Sequence, residues 1–334
     1  MRSVVLGILL SCLFAFPGAA QKKHVMAVAS KGLPGVLLMD ADTDQVVCQV
    51  KTEKSPHEVA FSPNGRLVYL PVYGDTNLGV PGSNERTVHF LRSRDCIEDT
   101  SVHLYENWRP HGIAVGASGK LYVTTEITGT VSIVDAPNQA YSGSIPTNSK
   151  YSHSIIVTPD EQTAFVSNVM SKTISVLDLN DKKLIETIDV GHENQRLDLA
   201  PDGKQFVTSF WKDKQIAFFD VAARKVDHTV EIDGSALQPK YSADGKFVFA
   251  VGTAEENQIA VWKIDVAARK VVACVKQGIG ESAASMTINP FTGNLYIADQ
   301  AKDELVVVSP MDLTVVKRIA TEKSPDGIAF AMTR

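Results

Sequence analysis

The sequence predicts an all-β protein: a seven-bladed β-propeller built from four-stranded antiparallel blades, and three observations predict it. The phrase "TEKSPHEVAF" at residues 52–61 returns as "TEKSPDGIAF" at residues 321–330, an offset of 269 residues. A second phrase, "DVAARKV", occurs at residues 220–226 and again at 265–271. Finally, a turn followed by an apolar run recurs as "SPNGRLVYL", "GASGKLYVT", "TPDEQTAFV", "APDGKQFVT", "SADGKFVFA" and "NPFTGNLYI". Eight residues before the turn glycine or its equivalent stand His57, His111, His153, Gln195 and Leu237. Ala284 is the match in the sixth copy, whose turn is one residue longer, and the TEKSP echo adds Asp326. The intervals are 54, 42, 42, 42, 47 and 42 residues. A period near 42 with Asn-Gly and Asp-Gly turns is that of a propeller blade.

Each element of the unit follows from local composition. In "HGIAVGASGKLYVTTEITGTVSIVDA" short β-branched and aromatic runs alternate with turn residues, and no stretch sustains a helical period. The strands are "HGIAV", "LYVTTE", "TVSIVDA" and a fourth such as "KLIETIDV". At the start, "HVMAVAS", "GVLLMDA" and "VVCQVKT" supply strands two to four of a unit that lacks its first. At the end, "DGIAFAMT" is a first strand lacking the rest. Six internal units and this composite blade make seven, and closure removes two sheet edges that invite aggregation.

Residues 1–20 fit a secretory signal: Arg2, an apolar run from Val4 to Phe16, then Pro17 and Gly18-Ala19-Ala20. Cleavage is expected after Ala20, leaving residues 21–334 as one propeller domain, secreted or periplasmic. A lipoprotein lipidated at Cys12 is the second reading. The run is too short to span a bilayer. Cys48, Cys96 and Cys274 remain, an odd number without metal-type spacing. Cys48 and Cys274 lie in apolar runs, so unpaired structural cysteines are the favoured reading, although an exported chain could pair two of them.

A formal charge of −5, and no Lys/Arg cluster, give no reason to expect nucleic acid. There is no Gly-x-Ser-x-Gly elbow, P-loop, Cys-x-x-Cys or haem-attachment motif. "DTDQ" (42–45) and "DLND" (178–181) read as hairpin turns, since their spacing is wrong for calcium.

The stretches "GKLYVTTEITGTVSIVDA" and "TAFVSNVMSKTISVLDLNDKKLIETIDVG" resemble the YVTN-family propeller repeat. The resemblance covers essentially the mature chain and implies the propeller fold; the family includes surface-layer and extracytoplasmic binding proteins. It is also similar to lactonase-type propellers, where Glu126 loosely matches an Asn-Glu strand end, but no paired His-x-His stands at a first-strand entrance.

In a propeller the loop into each first strand and the loop between second and third strands open on one face. The entrance positions, in ring order, are Asp326, His57, His111, His153, Gln195, Leu237 and Ala284: five polar residues in one arc, then two apolar ones. The second loops add Tyr73, Glu126, Asn168, Trp211, Glu256 and Asp299. Candidate ligand-binding residues are therefore Tyr73, Glu126, Asn168, Gln195, Trp211 and Asp299. Candidates for a divalent metal (Zn, Cu, Fe or Ni) are His57, His111, His153 and Asp326. The plainer reading of these histidines, as struts between blades, comes first. The longest interval places extra residues at 72–87, rich in Gly and Pro, either a lid over this face or a tolerated insertion. The leading function is an exported propeller binding a small-molecule ligand or an extracytoplasmic protein at this mouth. The alternatives are an enzyme there, a lactonase-like hydrolase or metal-dependent lyase or oxidase with Glu126 or His111 as base, and a structural surface-layer component.

Overall fold

The computed structural model describes residues 22–75, 80, 82, 84–254, 258–276 and 278–333. The expected signal segment and Glu256 lie outside the described residues. Seven antiparallel sheets are arranged as blades, six of four strands and one of five. Blade 1 is composite: from the channel outward it runs Pro325–Thr333, Lys23–Ser30, Gly35–Asp40, Val46–Lys51. The innermost strands of blades 3 to 7 are Pro110–Val115, Ser152–Val157, Asn194–Leu199, Ser235–Tyr241 and Ala283–Ile288. That of blade 2 is broken into Ser55–Pro56 and Ala60–Phe61, which is why its sheet has five strands.

Burial explains the sequence pattern. Second and third strands are covered on both faces by neighbouring blades, so they are buried without interruption and mostly apolar, as in Ala164–Asn168 and Ile174–Leu177. Fourth strands form the rim and alternate, as in Lys183–Asp189. The core is divided into seven apolar clusters, each lying between two adjacent blades. The closing interface, blade 7 on blade 1, is as apolar as the others: Tyr296, Leu305 and Val307 meet Met26, Leu37 and Met39. The ring is thus closed by the same contact that builds it.

The repeated "DVAARKV" is the hairpin between third and fourth strands. Asp220 accepts a hydrogen bond from the Ala223 N–H at 2.7 Å and Asp265 from Ala268 at 2.8 Å. Arg224 and Arg269 then both take the left-handed conformation, φ +53°. In the opposite hairpin Gly203 and Gly245 supply φ +71° and +70°, which is why the anchoring turns carry Asp-Gly.

Two expectations need correction. Cys48 and Cys96 form a disulfide, with Cα atoms 5.9 Å apart. It ties the rim strand of blade 1 to the rim hairpin of blade 2. Cys274 is free and exposed, on a rim strand whose apolar residues are only partly covered. The reading of 72–87 as loop was too long, because Leu67–Gly74 and Asn84–Arg92 extend into it as strands. No helix among the described residues is long and apolar enough to cross a membrane.

Removing residues 324–334 is expected to leave blade 1 without its inner strand and expose two sheet edges. The truncated chain should be poorly soluble or markedly destabilised; melting like the full chain would contradict ring closure. Replacing Cys48 and Cys96 by Ser should lower stability by about 2–4 kcal/mol, since the bridge closes a long loop. Denaturant titration of oxidised wild type against the double variant measures it.

Candidate functional site

The entrance positions of blades 1, 3, 4 and 5 are β-bulges, whereas His57 lies in the break of the blade 2 inner strand. In blade 3 Val123 pairs with Ile113 and Thr125 with Pro110, so His111 and Gly112 together oppose Thr124. His153-Ser154, Gln195-Arg196 and Asp326-Gly327 likewise oppose Ser167, Ser209 and Ala29. A bulge adds one residue and re-aims a side chain, here at each inner strand's channel end. Two glycines allow the bulges to sit close together. A Cβ on Gly112 would lie 2.3 Å from the His153 carbonyl oxygen, and one on Gly327 2.7 Å from that of His57. Polar struts fix the backbone: Thr124 donates its hydroxyl to the His153 carbonyl at 2.8 Å and accepts from the Gly112 N–H at 2.8 Å.

Five residues predicted for the site come together on blades 2 to 4: His57, Tyr73, His111, Glu126 and His153. All are at least nine-tenths buried. The His111 and His153 rings lie 3.9 Å apart with a 31° tilt, and His57 meets His111 edge-on at 5.1 Å. Tyr73 stacks on His57 at 4.2 Å. Its hydroxyl donates to Glu126 Oε2, and the other carboxylate oxygen is 3.2 Å from His153 Nδ1. His111 Nδ1 is buried and has no hydrogen-bond partner. Burial, aided by the neighbouring His153 and His57, holds His111 well below the usual histidine range. Burial and the Lys31 charge do the same to His57. Both are therefore neutral at pH 7. Burial and the adjacent Glu126 raise the Tyr73 hydroxyl, so it remains a donor.

A second set crosses the channel. Arg196 of blade 5 pairs with Glu58 of blade 2 and lies 3.4 Å from Asp326 of blade 1. Lys31 Nζ is 2.7 Å from the other Asp326 oxygen. Burial alone would raise Asp326, but Lys31 and Arg196 outweigh it and hold the carboxyl below its ordinary value. Burial pushes Glu58 upward against the Arg196 charge. Asp326 is therefore committed to cations, apart from the His111–Glu126–His153 group.

Two cavities adjoin His111, His153 and Arg196. One, of about 200 Å³, is also walled by Lys31, His57, Gln195, Leu237, Ala284, Gln300 and Asp326. The other, about 110 Å³, lies against Glu58, Gln238 and Lys240. A larger cleft of about 870 Å³ lies among the hairpin turns of the opposite face, between Asn64, Arg92 and Gln139, and holds none of the predicted residues.

Comparison with known proteins follows the same outline. The model of the YNCE-like beta-propeller family matches residues 110–217, which span blades 3 and 4 and part of blade 5. That stretch contains both segments that resemble the YVTN repeat. No curated protein matches the chain. Among solved structures, Kuenenia stuttgartiensis hydrazine synthase is similar at 19% identity and TM-score 0.72, covering 84% of this chain and 91% of that one. A putative 6-phosphogluconolactonase from Bacteroides uniformis is similar at 13% identity and TM-score 0.76, covering 93% and 100%. The periplasmic gluconolactonase of Pseudomonas aeruginosa is similar at 17% identity and TM-score 0.72, covering 93% and 99%. At such identities the likeness establishes the propeller fold.

Three predicted residues stand apart from this cluster. Asn168 is a buried strut, bonded to Ser152, Thr173 and Ser175. Asp299 accepts from the N–H groups of Glu281, Ser282 and Ala301 and so builds its own turn. Trp211 opens a short 3-10 turn and carries Lys212 over its ring. Conversely, Glu58, Arg196 and Lys31 escaped the sequence reading. Glu58 and Arg196 stand one residue after His57 and Gln195, so reading the residue after each entrance position would have found them. Arg109 was missed as well. It lies over Tyr73 at 5.3 Å and donates to Asn84 and to the Val80 carbonyl, tying the blade 2 connection to the site.

Asn168→Ala and Asp299→Ala should each cost about 1–3 kcal/mol by leaving buried partners unsatisfied. Neither should alter chemistry at the channel mouth. Denaturant melts beside ligand titrations check this, and a binding defect without loss of stability would reverse the assignment.

Proposed function

We propose that the protein is an exported β-propeller that binds a small polar ligand at the channel mouth, between His57, His111, His153, Arg196 and Asp326. The observation that carries this is the cavity of about 200 Å³ with three buried imidazoles in its wall. Drug-sized ligands occupy about 300–1,000 Å³, so the occupant is small. Lys31 and Arg196 are already met by Asp326 and Glu58, so the wall offers hydrogen bonds and imidazole nitrogens more than uncompensated charge. Export is supported by the leader-like residues 1–20 and by the Cys48–Cys96 disulfide, which suits an oxidising compartment.

One observation favours a second reading, a hydrolase. The chain Tyr73–Glu126–His153 orients an imidazole through a carboxylate, as a general base requires. Two similar folds bear lactonase names. The cavity's size places this behind ligand binding.

A thermal-shift screen of compounds with up to about ten heavy atoms tests the proposal. At least one should stabilise the mature chain, by about 2.7 kcal/mol at a hundred times Kd, and His111→Ala should abolish the shift. Equal shifts in both proteins, or none, would count against the mouth. Turnover of gluconolactone that Glu126→Gln eliminates would favour the hydrolase instead.

A further inference from the structure

We infer that His111, Glu126 and His153 form a binding site for a divalent transition metal of the zinc class, with a free coordination position toward the channel cavity. The inference deepens the ligand-binding reading and rests on it for the identity of the mouth. Two imidazoles and one carboxylate are donors that suit Zn²⁺ and its neighbours; Mg²⁺ and Ca²⁺ take all-oxygen sets. The three side chains come from separate places: the bulge of blade 3, the second loop of blade 3 and the bulge of blade 4. Yet no two of their donor atoms are more than 4.8 Å apart, and all three residues are buried.

Spacing within the group fits an ion. Donors about 2.1 Å from a tetrahedral metal stand about 3.4 Å from one another. His153 Nδ1 and Glu126 Oε1 are already 3.2 Å apart, so the metal takes the place of the proton between them, which moves to the other ring nitrogen. His111 brings a ring nitrogen within 4.8 Å of both. Its Nδ1 is buried without a partner, an expensive state for a polar atom and one that a metal bond removes.

The surroundings resemble a supporting shell. Tyr73 donates to Glu126 Oε2 and so leaves Oε1 for the metal, and His57 and Arg109 hold the Tyr73 ring. Because His111 and His153 also wall both channel cavities, the fourth position opens on space a water or small ligand can fill. Three protein donors and one open position mark a site that binds substrate rather than a closed structural one.

The test is titration of the chelator-treated full chain with Zn²⁺, and with Co²⁺ read by its visible bands. One ion per chain is expected, with the spectrum of a four-coordinate centre. His111→Gln, Glu126→Gln and His153→Gln should each weaken binding at least about 100-fold, and Tyr73→Phe about 10- to 100-fold. His103→Ala, on the exposed rim strand Glu98–His103 of blade 2, should bind as wild type, which separates the ligand set from the mere loss of a histidine; melting each apo variant checks folding independently. No stoichiometric binding at micromolar metal, or equal binding by all variants, overturns the site. If the metal-free protein still binds a small polar compound at the mouth, this inference alone falls. If metal binds while no compound does, the metal site stands and the small-ligand reading is the one that fails.

Discussion

The structure depends on one contact: the apolar face of each blade against the next. Because the ring is closed, every second and third strand is covered on both sides, and no blade can be lost without opening an interface such as that of Met26 and Met39 against Tyr296 and Leu305. Each interface removes apolar surface worth about 25 cal/mol per Å², while the rim strands add little. The composite first blade follows from this constraint, since pairing Pro325–Thr333 with Lys23–Ser30 holds the two chain ends in one sheet. The disulfide lies outside the closing seam. It spans the neighbouring interface, between blades 1 and 2, at the rim where packing is thinnest.

Closing the ring also dictates the channel. Seven inner strands converge there, and their bulges bring side chains of adjacent blades within van der Waals reach, as the 3.9 Å ring contact of His111 and His153 shows. Polar groups so placed lose water and must find partners. Most do: Arg196 meets Glu58 and Asp326, and Thr124 meets two backbone groups. His111 Nδ1 does not. An arrangement selected for stability alone would fill such a position with an apolar residue, as the ring does at Leu237 and Ala284.

The period, the turn chemistry and the closing echo are local features, so blade number and ring closure were legible in the chain. The entrance positions were legible for the same reason: they sit at a fixed distance from a turn that the backbone requires. What escaped was set by the ring rather than by any one repeat. Arg196 and Glu58 are 138 residues apart in sequence and meet only because blades 5 and 2 face each other across the channel. Cys48 and Cys96 pair because two rims touch. Asn168 and Asp299 occupy the same loop position as Glu126 but turn inward to their own blades, a choice made by rotamer and neighbour that the repeat leaves open.

A repeated fold presents equivalent positions around its axis, so a specific site requires that some repeats depart from the rest. The departures here are concentrated. Blade 2 has the broken inner strand and the longest connection, and Arg109 binds that connection beside Tyr73. Blade 3 has glycine at the second position of its bulge, which lets blade 4 bring His153 against His111. Each change is small within its own blade, but all of them act on the same few ångströms of channel wall. Blades 6 and 7 place Leu237 and Ala284 at the equivalent positions and so bound the polar arc, whose flanks are Gln195 of blade 5 and Asp326 of blade 1. Seven equal interfaces supply the stability, and three unequal inner strands assemble the chemistry.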